Sequence, residues 1–466
     1  MSQPDSYDLL VVGGGPAGLA AAAEASSLGL SVGLADERPT LGGQIFKQPG
    51  LVVKDERALG SDHLRGRALI EAAEQSGARV LLRTSCITLR GTEAVLVTEG
   101  ERARAVTASA VLVAAGAHDR PVAFPGWTLP GVLTAGAAQT IVKAHRVAPG
   151  KRVLFAGSGP LALAFPAQLH HYGVNVVAAL EAGSMPGPAS LARLVAAARG
   201  NVPLLRDAAR YRLELLRGRV PLRSRRIVVR AEGRERLEAA VHAAVGADWR
   251  VVAGTEETIE VDALCVGYGF FPSVELLRVA GCELRYDEDL GGPVAVVDRW
   301  QRTTVPGVSA AGDGTGVRGS YVAEDQGRLA ALGLVEDEAR AAPIRRRLER
   351  RLRFQQALSR MYRIGPGIYE LATPDTVVCR CEGLRRDELD RAIEATPDVN
   401  VVKAYTRVAM GLCQGRNCQR QVAALIGARH GLPIGDLPHA TPRSPVRATP
   451  LSAIADDSVE DLGLFV

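Results

Sequence analysis

Four cysteines late in the chain have the spacing of a metal–sulfur site. Cys379-Arg380-Cys381 is followed after 31 residues by Cys413-Gln414-Gly415-Arg416-Asn417-Cys418, a C-x-C … C-x4-C array. Four thiolates so arranged can ligate a [2Fe–2S] cluster. Zinc is the rival metal, but it favours C-x2–4-C knuckles, which a C-x-C pair does not supply. Purely structural thiols or a disulfide would require all four cysteines to be incidental. Thiolates leave an oxidised cluster net negative, so positive ends are wanted around it. Helices are predicted over Leu384–Ile393 and Gln419–Ala428, each starting just after a cysteine pair, so that their N-terminal amides would face the cluster. Arg380, Arg416 and Gly415 add charge and room for backbone N–H···S contacts.

A second kind of chemistry opens the chain. Gly13-Gly14-Gly15-Pro16-Ala17-Gly18 has G-x-G-x-x-G spacing between a predicted strand, Tyr7–Val12, and a predicted helix, Ala17–Leu28. Gly13 would make the tight turn, Gly15 let backbone approach a pyrophosphate, and Gly18 pack the helix close to the strand. An acid at the end of the next strand, Ser31–Ala35, should take ribose hydroxyls; Asp36 is in the window and Glu37 adjoins it. Leu41-Gly42-Gly43-Gln44 follows directly.

The pattern recurs as Gly157-Ser158-Gly159-Pro160-Leu161-Ala162, with alanine at the third glycine position. Glu181 ends the following strand one residue later than the Asp36 spacing suggests. A nicotinamide site, a site for another nucleotide and a retained scaffold all remain open here. No C-x-x-C occurs and no cysteine pair follows Gly43, which excludes a disulfide reductase of glutathione or thioredoxin type. Cys86, Cys265 and Cys282 read as small residues without redox duty. His118 and His170-His171 read as packing or surface histidines rather than a substrate base.

These residues need elements to hold them. At 466 residues the chain is too long for one ordinary core. Hydrophobic content of 47% with 4% aromatics suits a Gly/Ala/Val/Leu-rich α/β protein. A net charge of +5, with arginine spread along the chain, gives no nucleic-acid footprint. The richest apolar run, Leu9–Ala23, is broken at Gly13–Pro16 and preceded by Asp5 and Asp8, so it is neither signal peptide nor membrane helix. Three scattered cysteines and four grouped late in the chain make no secreted disulfide framework and fit a reducing compartment. Further strands are expected over Ala110–Ala114, Arg152–Ala156, Val174–Ala179, Val261–Gly267 and Val294–Val297, and residues 184 to 260 read as outer strands of the second unit. Residues 335 to 365, with Arg345-Arg346-Arg347 and Arg350-Arg351 around Ile344, Leu348, Leu352 and Leu358, read as a basic amphipathic helix whose charged face is solvated.

Thr303–Val308 leads through Ser309-Ala310-Ala311 to Gly312-Asp313. With the first glycine loop, Asp36 and Gly43-Gln44, this resembles the two-dinucleotide-binding-domain flavoprotein superfamily. The resemblance implies FAD, with Asp313 on the ribityl chain and helix amides facing the flavin. Val111–Gly116 is similar to the family's strand-and-small-residue junction, with Ala115 where threonine is common before Gly116. It also implies an NAD(P)-type fold around Gly157 and Gly159. The cysteine module resembles the bacterioferritin-associated-ferredoxin-like [2Fe–2S] domain, with Cys379, Cys381, Cys413 and Cys418 at its ligand positions. With the segment Phe124-Pro125-Gly126-Trp127-Thr128-Leu129-Pro130-Gly131-Val132, nearly the whole chain resembles the α (FAD/[2Fe–2S]) subunit of heteromeric amine dehydrogenases. That family includes D-hydroxyproline dehydrogenase and the corresponding FAD subunits of opine oxidase and hydrogen cyanide synthase.

The expected fold is α/β: two Rossmann-like domains and a small C-terminal [2Fe–2S] module. Boundaries are expected at 1–145 with 290–340 for the FAD domain, 150–285 for the NAD(P)-like domain, 341–372 for a basic helical linker, 373–432 for the cluster module and 433–466 for an extended proline-rich tail. The resemblance implies an FAD-dependent oxidoreductase acting on CH–NH or CH–NH2 donors within a complex. Its partners would be a β subunit of D-amino-acid-oxidase type, an electron acceptor and a small third subunit, with no nucleic acid. The basic helix and the tail are candidate subunit contacts. The setting would be cytoplasmic or peripheral to the inner membrane. A self-sufficient NAD(P)H-dependent reductase and a non-enzymatic cofactor scaffold are the competing readings.

Overall fold

The computed structural model describes residues 5–50, 60–184, 187 and 201–455. These form two compact units, one from Met1–His118, Phe271–Gln355 and Pro442–Val466, the other from Asp119–Phe270 and Gln356–Thr441.

The first unit is built on the strand Asp5–Val12, which lies between Val32–Ala35 and Ala103–Val113 and runs parallel to both. Val32–Ala35 is buried at every position, as a strand covered on both faces requires. Arg79–Leu81 extends one side, and Val308–Ala310 joins Ala103–Val113 in parallel on the other. The early half of Ala103–Val113 pairs antiparallel with Glu93–Thr98, which pairs with Thr84–Arg90. The helix Pro16–Ser27 packs on Ser320–Leu334 over a core of Leu19, Ala22, Leu34, Leu112 and Ala331. Proline at its first position leaves no amide unsatisfied there.

The basic helix spans Glu338–Met361 and buries Ala341, Ile344, Leu348 and Phe354. Its charged face is not wholly solvated. Arg347 and Arg351 both turn onto Asp325, whose side chain is fully buried, at 2.5 Å each. The tail also has a place. The Val446 amide donates to Ile87 O at 2.9 Å, Val446 packs with Leu89 and Leu96, and Ala453 packs with Ile87 and Val95. The last part of the expected tail, 456–466, lies outside the described residues.

The second unit carries a five-stranded parallel sheet in the order Leu222–Ser224, Val176–Glu181, Val153–Gly157, Ala263–Gly267, Val132–Thr134. The last strand and the helix Ala135–His145 behind it therefore belong here, so the first unit ends earlier than 145. The stretch read as outer strands contains a helix, Val202–Arg217, before the antiparallel strands Arg226–Glu232, Ala239–Ala244 and Glu257–Glu260.

The same unit includes the cysteine module: the strand pair Val377–Cys379 and Leu384–Arg385, then helices Arg386–Ala395, Val399–Thr406 and Gln419–His430. The segment leading to it is fixed on the sheet domain. Gly367 N donates to Asp248 O at 3.0 Å, Arg250 pairs with Glu370 at 2.8 Å, and Tyr369 OH accepts from the buried Arg120 at 2.8 Å. Ile368, Tyr369 and Ala424 share one core with Leu180, Trp249 and Tyr268.

Candidate cofactor sites

The first glycine loop is closely packed against the strand, helix and Gly43 around it. Helix and strand approach so closely that a Cβ at Gly18 would sit 1.9 Å from Gly13 O. At Gly15 the direction a Cβ would take meets nothing nearer than Gly43 Cα, 3.8 Å away. Among the described residues the Gly15 amide has no protein acceptor, as a phosphate-binding amide at a helix N-terminus should not. Pro16 and Ala17 form the first turn behind it.

Asp36, not Glu37, faces the loop. Its Oδ2 accepts from Gly14 N at 2.6 Å and its Oδ1 from Arg38 N at 2.8 Å. Burial raises its pKa, opposed by those two backbone donors. Glu37 pairs with Arg447 of the tail at 3.1 Å. Gly42 N donates to Gly14 O at 2.9 Å, which brings Gly43 beside Gly15, while Gln44 is exposed. The Ala114–Ala115 backbone closes the other side of Gly13. Gly116 accepts from Ser273 N at 2.9 Å.

The Gly312–Thr315 turn also reaches this loop, since a Cβ at Gly312 would lie 3.3 Å from Ala17 Cβ. Gln326 holds the turn by accepting from Gly312 N at 3.0 Å and donating to Thr315 Oγ1 at 2.9 Å. No donor among the described residues reaches the Asp313 carboxyl, and burial pushes its pKa up to about 6. A half-buried acid without a protein donor suits a ligand that brings hydroxyls. Arg65 was not legible as part of this region. Its guanidinium lies 3.5 Å over the Tyr321 ring and donates to Ser320 Oγ at 3.0 Å, at the N-terminus of Ser320–Leu334.

The four thiols form two pairs. Cys379 contacts Cys418, and Cys381 contacts Cys413. Among the described residues no three Cys, His, Asp or Glu groups converge as on a single ion. A mononuclear zinc site needs four ligands on one point, whereas a two-iron cluster needs one pair for each iron. The donor set fits the cluster. Cys379 and Cys418 are 1% and 0% exposed, Cys381 is exposed and Cys413 intermediate.

Backbone amides supply the positive ends. Those of Ala409, Glu382 and Cys381 point at the Cys379 sulfur, those of Asn417 and Gly415 at Cys413, and that of Ala409 also at Cys418. The contact with Cys418 and these amides draw the Cys379 pKa down to about 6. Ala409 and Gln414 are held at φ 66° and 50°, left-handed backbone that a non-glycine residue adopts only under constraint. The helix Gln419–His430 begins on Cys418 itself. The other helix differs from expectation. Leu384 pairs with Cys379 as strand, the helix starts at Arg386, and Glu388 of its first turn accepts the Arg385 amide at 2.9 Å. Arg380 is exposed, and Arg416 bonds to Cys413 O at 3.2 Å.

The remaining cysteines, Cys86, Cys265 and Cys282, are buried in the cores of the two units, and burial raises all three pKa values, the first two to about 12. At the second glycine loop Glu181 accepts from Gly159 N at 2.9 Å and Gly183 N at 2.7 Å, and burial lifts its pKa to about 7. Gly157 lies where the strand meets this loop.

Residues 7–327 match the model of the pyridine nucleotide-disulphide oxidoreductase family. The chain belongs to that family. Residues 377–428 match the BFD-like [2Fe-2S] binding domain. This family member is 32% identical to the A subunit of opine oxidase from Rhizobium meliloti, over 96% of this chain and 87% of that one. It is 33% identical to the HcnB subunit of hydrogen cyanide synthase from Pseudomonas protegens, over 98% and 99%. In fold it matches L-proline dehydrogenase from P. horikoshii with a TM-score of 0.69 at 22% identity, over 98% of this chain and 81% of that one. The chain is an oxidoreductase with FAD-type and NAD(P)-type dinucleotide folds and a [2Fe–2S] domain. No helix among the described residues is long and apolar enough to cross a membrane.

Proposed function

We propose that this chain is the electron-transferring subunit of a heteromeric amine or imino-acid dehydrogenase or oxidase, acting on opine-, hydroxyproline-, proline- or glycine-type donors. The observation that carries the reading is a paired-thiol site, exposed at Cys381, on the same chain as a dinucleotide-type glycine loop whose Gly15 amide has no protein acceptor among the described residues. A partner of D-amino-acid-oxidase type would bind the amine, remove hydride from the carbon beside nitrogen and release the imine. A separate electron acceptor and a small third subunit complete the assembly. Relatives named as opine oxidase and hydrogen cyanide synthase subunits support this assignment.

When bound, FAD supplies two-electron and the cluster one-electron chemistry, which lets a hydride equivalent leave as single electrons. This chain's residues hold those groups. Gly15 and the amides after Pro16 would take the pyrophosphate, Asp36 the ribose and Asp313 the ribityl hydroxyls. Cys379 with Cys418 and Cys381 with Cys413 would each hold one iron. His170 lies on the helix Pro160–His171 and pairs with Glu214 at 2.8 Å.

Anaerobic reduction of the purified holo-chain tests the reading. Dithionite should bleach the flavin and raise a [2Fe–2S] EPR signal, and candidate amines should do so only once the substrate-binding partner is added. Rapid bleaching of the isolated chain by NADH or NADPH would replace this reading with a self-sufficient reductase.

A further inference from the structure

The two glycine loops occupy the same place in two dinucleotide folds, yet their surroundings differ. In such a loop the second glycine exists so that a pyrophosphate can come in along the direction a Cβ would take. At Gly15 that direction meets no side chain, only the Gly43 Cα at 3.8 Å. At Gly159 it meets the Tyr362 side chain, with Cβ and Cγ at 3.5 Å and Cδ1 at 3.9 Å. The same ring is 4.0 Å from the Cβ direction of Gly183, just beyond the strand Val176–Glu181. It therefore spans the gap between loop and strand end that the phosphates would need.

The amide is used as well as the space. Asp36 accepts from Gly14 and leaves the Gly15 amide for a ligand. Glu181 stands one residue further along and is one methylene longer, and it accepts from Gly159, the equivalent of Gly15. A dinucleotide would have to win that amide back and place its phosphates beside a carboxyl group. The chain around Tyr362 is anchored downstream. Ile364 Cδ1 lies 3.7 Å from the Cβ direction of Gly269, and a Cβ at Gly365 would fall 2.4 Å from the Trp249 ring.

We propose that Tyr362 and Glu181 fill the second dinucleotide site from within the chain and so exclude nicotinamide dinucleotides as electron donors. This goes beyond the amine reading, because it assigns a role to a fold that the reading leaves unused. Ring bulk does the excluding, so the hydroxyl is dispensable.

Equilibrium dialysis of the full-length holoprotein against NADH, NADPH and ADP tests it. Wild type and Tyr362→Phe should show no saturable binding. Tyr362→Ala combined with Glu181→Asp, which copies the first loop, should gain at least tenfold in affinity for one of these probes. Tyr362→Leu, which keeps an apolar contact, should show a smaller gain and serves if the double variant loses its fold or its FAD. The proposal is overturned if wild type binds NADH or NADPH as tightly as the opened variants, or if folded opened variants still bind none of the three. Wild-type binding without flavin bleaching would sink this proposal and leave the electron-transfer reading standing; bleaching would sink both.

Discussion

The indole Nε1–H of Trp127 donates to the carbonyl of Val377 at 2.6 Å, two residues ahead of Cys379. Trp127 is 9% exposed, and its ring belongs to the sheet-domain core with Phe124, Leu237 and Tyr268. The bond thus ties the strand carrying the first thiol to the dinucleotide-type domain. Trp127→Phe keeps most of the packing and leaves the Val377 carbonyl without this donor, a loss of about 1–3 kcal/mol. Denaturant unfolding should show that loss, and the cluster should bleach faster in a chelator chase than in wild type.

Glu181 should give the chain a distinctive pH response. Burial raises its folded pKa to about 7 from an ordinary carboxylate value near 4.5, so the native state binds its proton more tightly than the unfolded state. The resulting stabilisation is full below about pH 4.5 and is lost as pH rises through about 7, up to about 3 kcal/mol at 1.36 kcal/mol per pKa unit. Urea midpoints measured from pH 5 to 8 should fall across that window in wild type. In Glu181→Gln this component of the slope should vanish, whatever the variant's absolute stability.

Asp313 makes the opposite prediction for ligand binding. Ribityl hydroxyls donate best to a charged carboxylate, and this one holds its proton up to about pH 6 in the absence of such donors. FAD affinity of the deflavinated protein should therefore drop as pH falls below about 6. Asp313→Asn should bind FAD roughly ten- to a hundredfold more weakly at neutral pH, the loss of one charge-assisted hydrogen bond of about 1.5–3 kcal/mol, and should lose the pH dependence.

Accessibility should separate the two thiol pairs. In cluster-free protein, iodoacetamide should label Cys381 first and Cys413 next, with Cys379 and Cys418 reacting only on unfolding, because access outweighs the lowered pKa of Cys379. Peptide mapping by mass spectrometry reads the order directly. Early labelling of Cys418 would contradict its burial beside Val422 and Ile426.

Much of this was legible in local sequence. Both glycine loops, the acid after each, and the four thiols stand in short motifs whose spacing carries their geometry. The later position of Glu181 was visible too, but not that one extra residue and one methylene move its carboxyl from the loop's middle amide to the next. Tyr362 had no signal at all, because it meets Gly159 across some two hundred residues of chain. Arg347 and Arg351 read as solvated for a similar reason: their partner Asp325 lies on another helix, and helical periodicity says nothing about ion pairs between helices. The expected domain end at 145 ran past Val132–Thr134 because a three-residue strand carries no pattern of its own, and only its pairing with Ala263–Gly267 assigns it.

The pinned segment from Gly365 to Glu370 decides what kind of device the cysteine module is. A carrier on a free tether would visit its redox partners in turn and trade reach for waiting time. Gly367 bonded to Asp248, Tyr369 to Arg120 and Glu370 to Arg250 make the module a fixed port in the wall of its domain. A partner that collected electrons from a cluster held by these thiols would have to dock there, and its rate should follow its own concentration rather than the length of any linker in this chain.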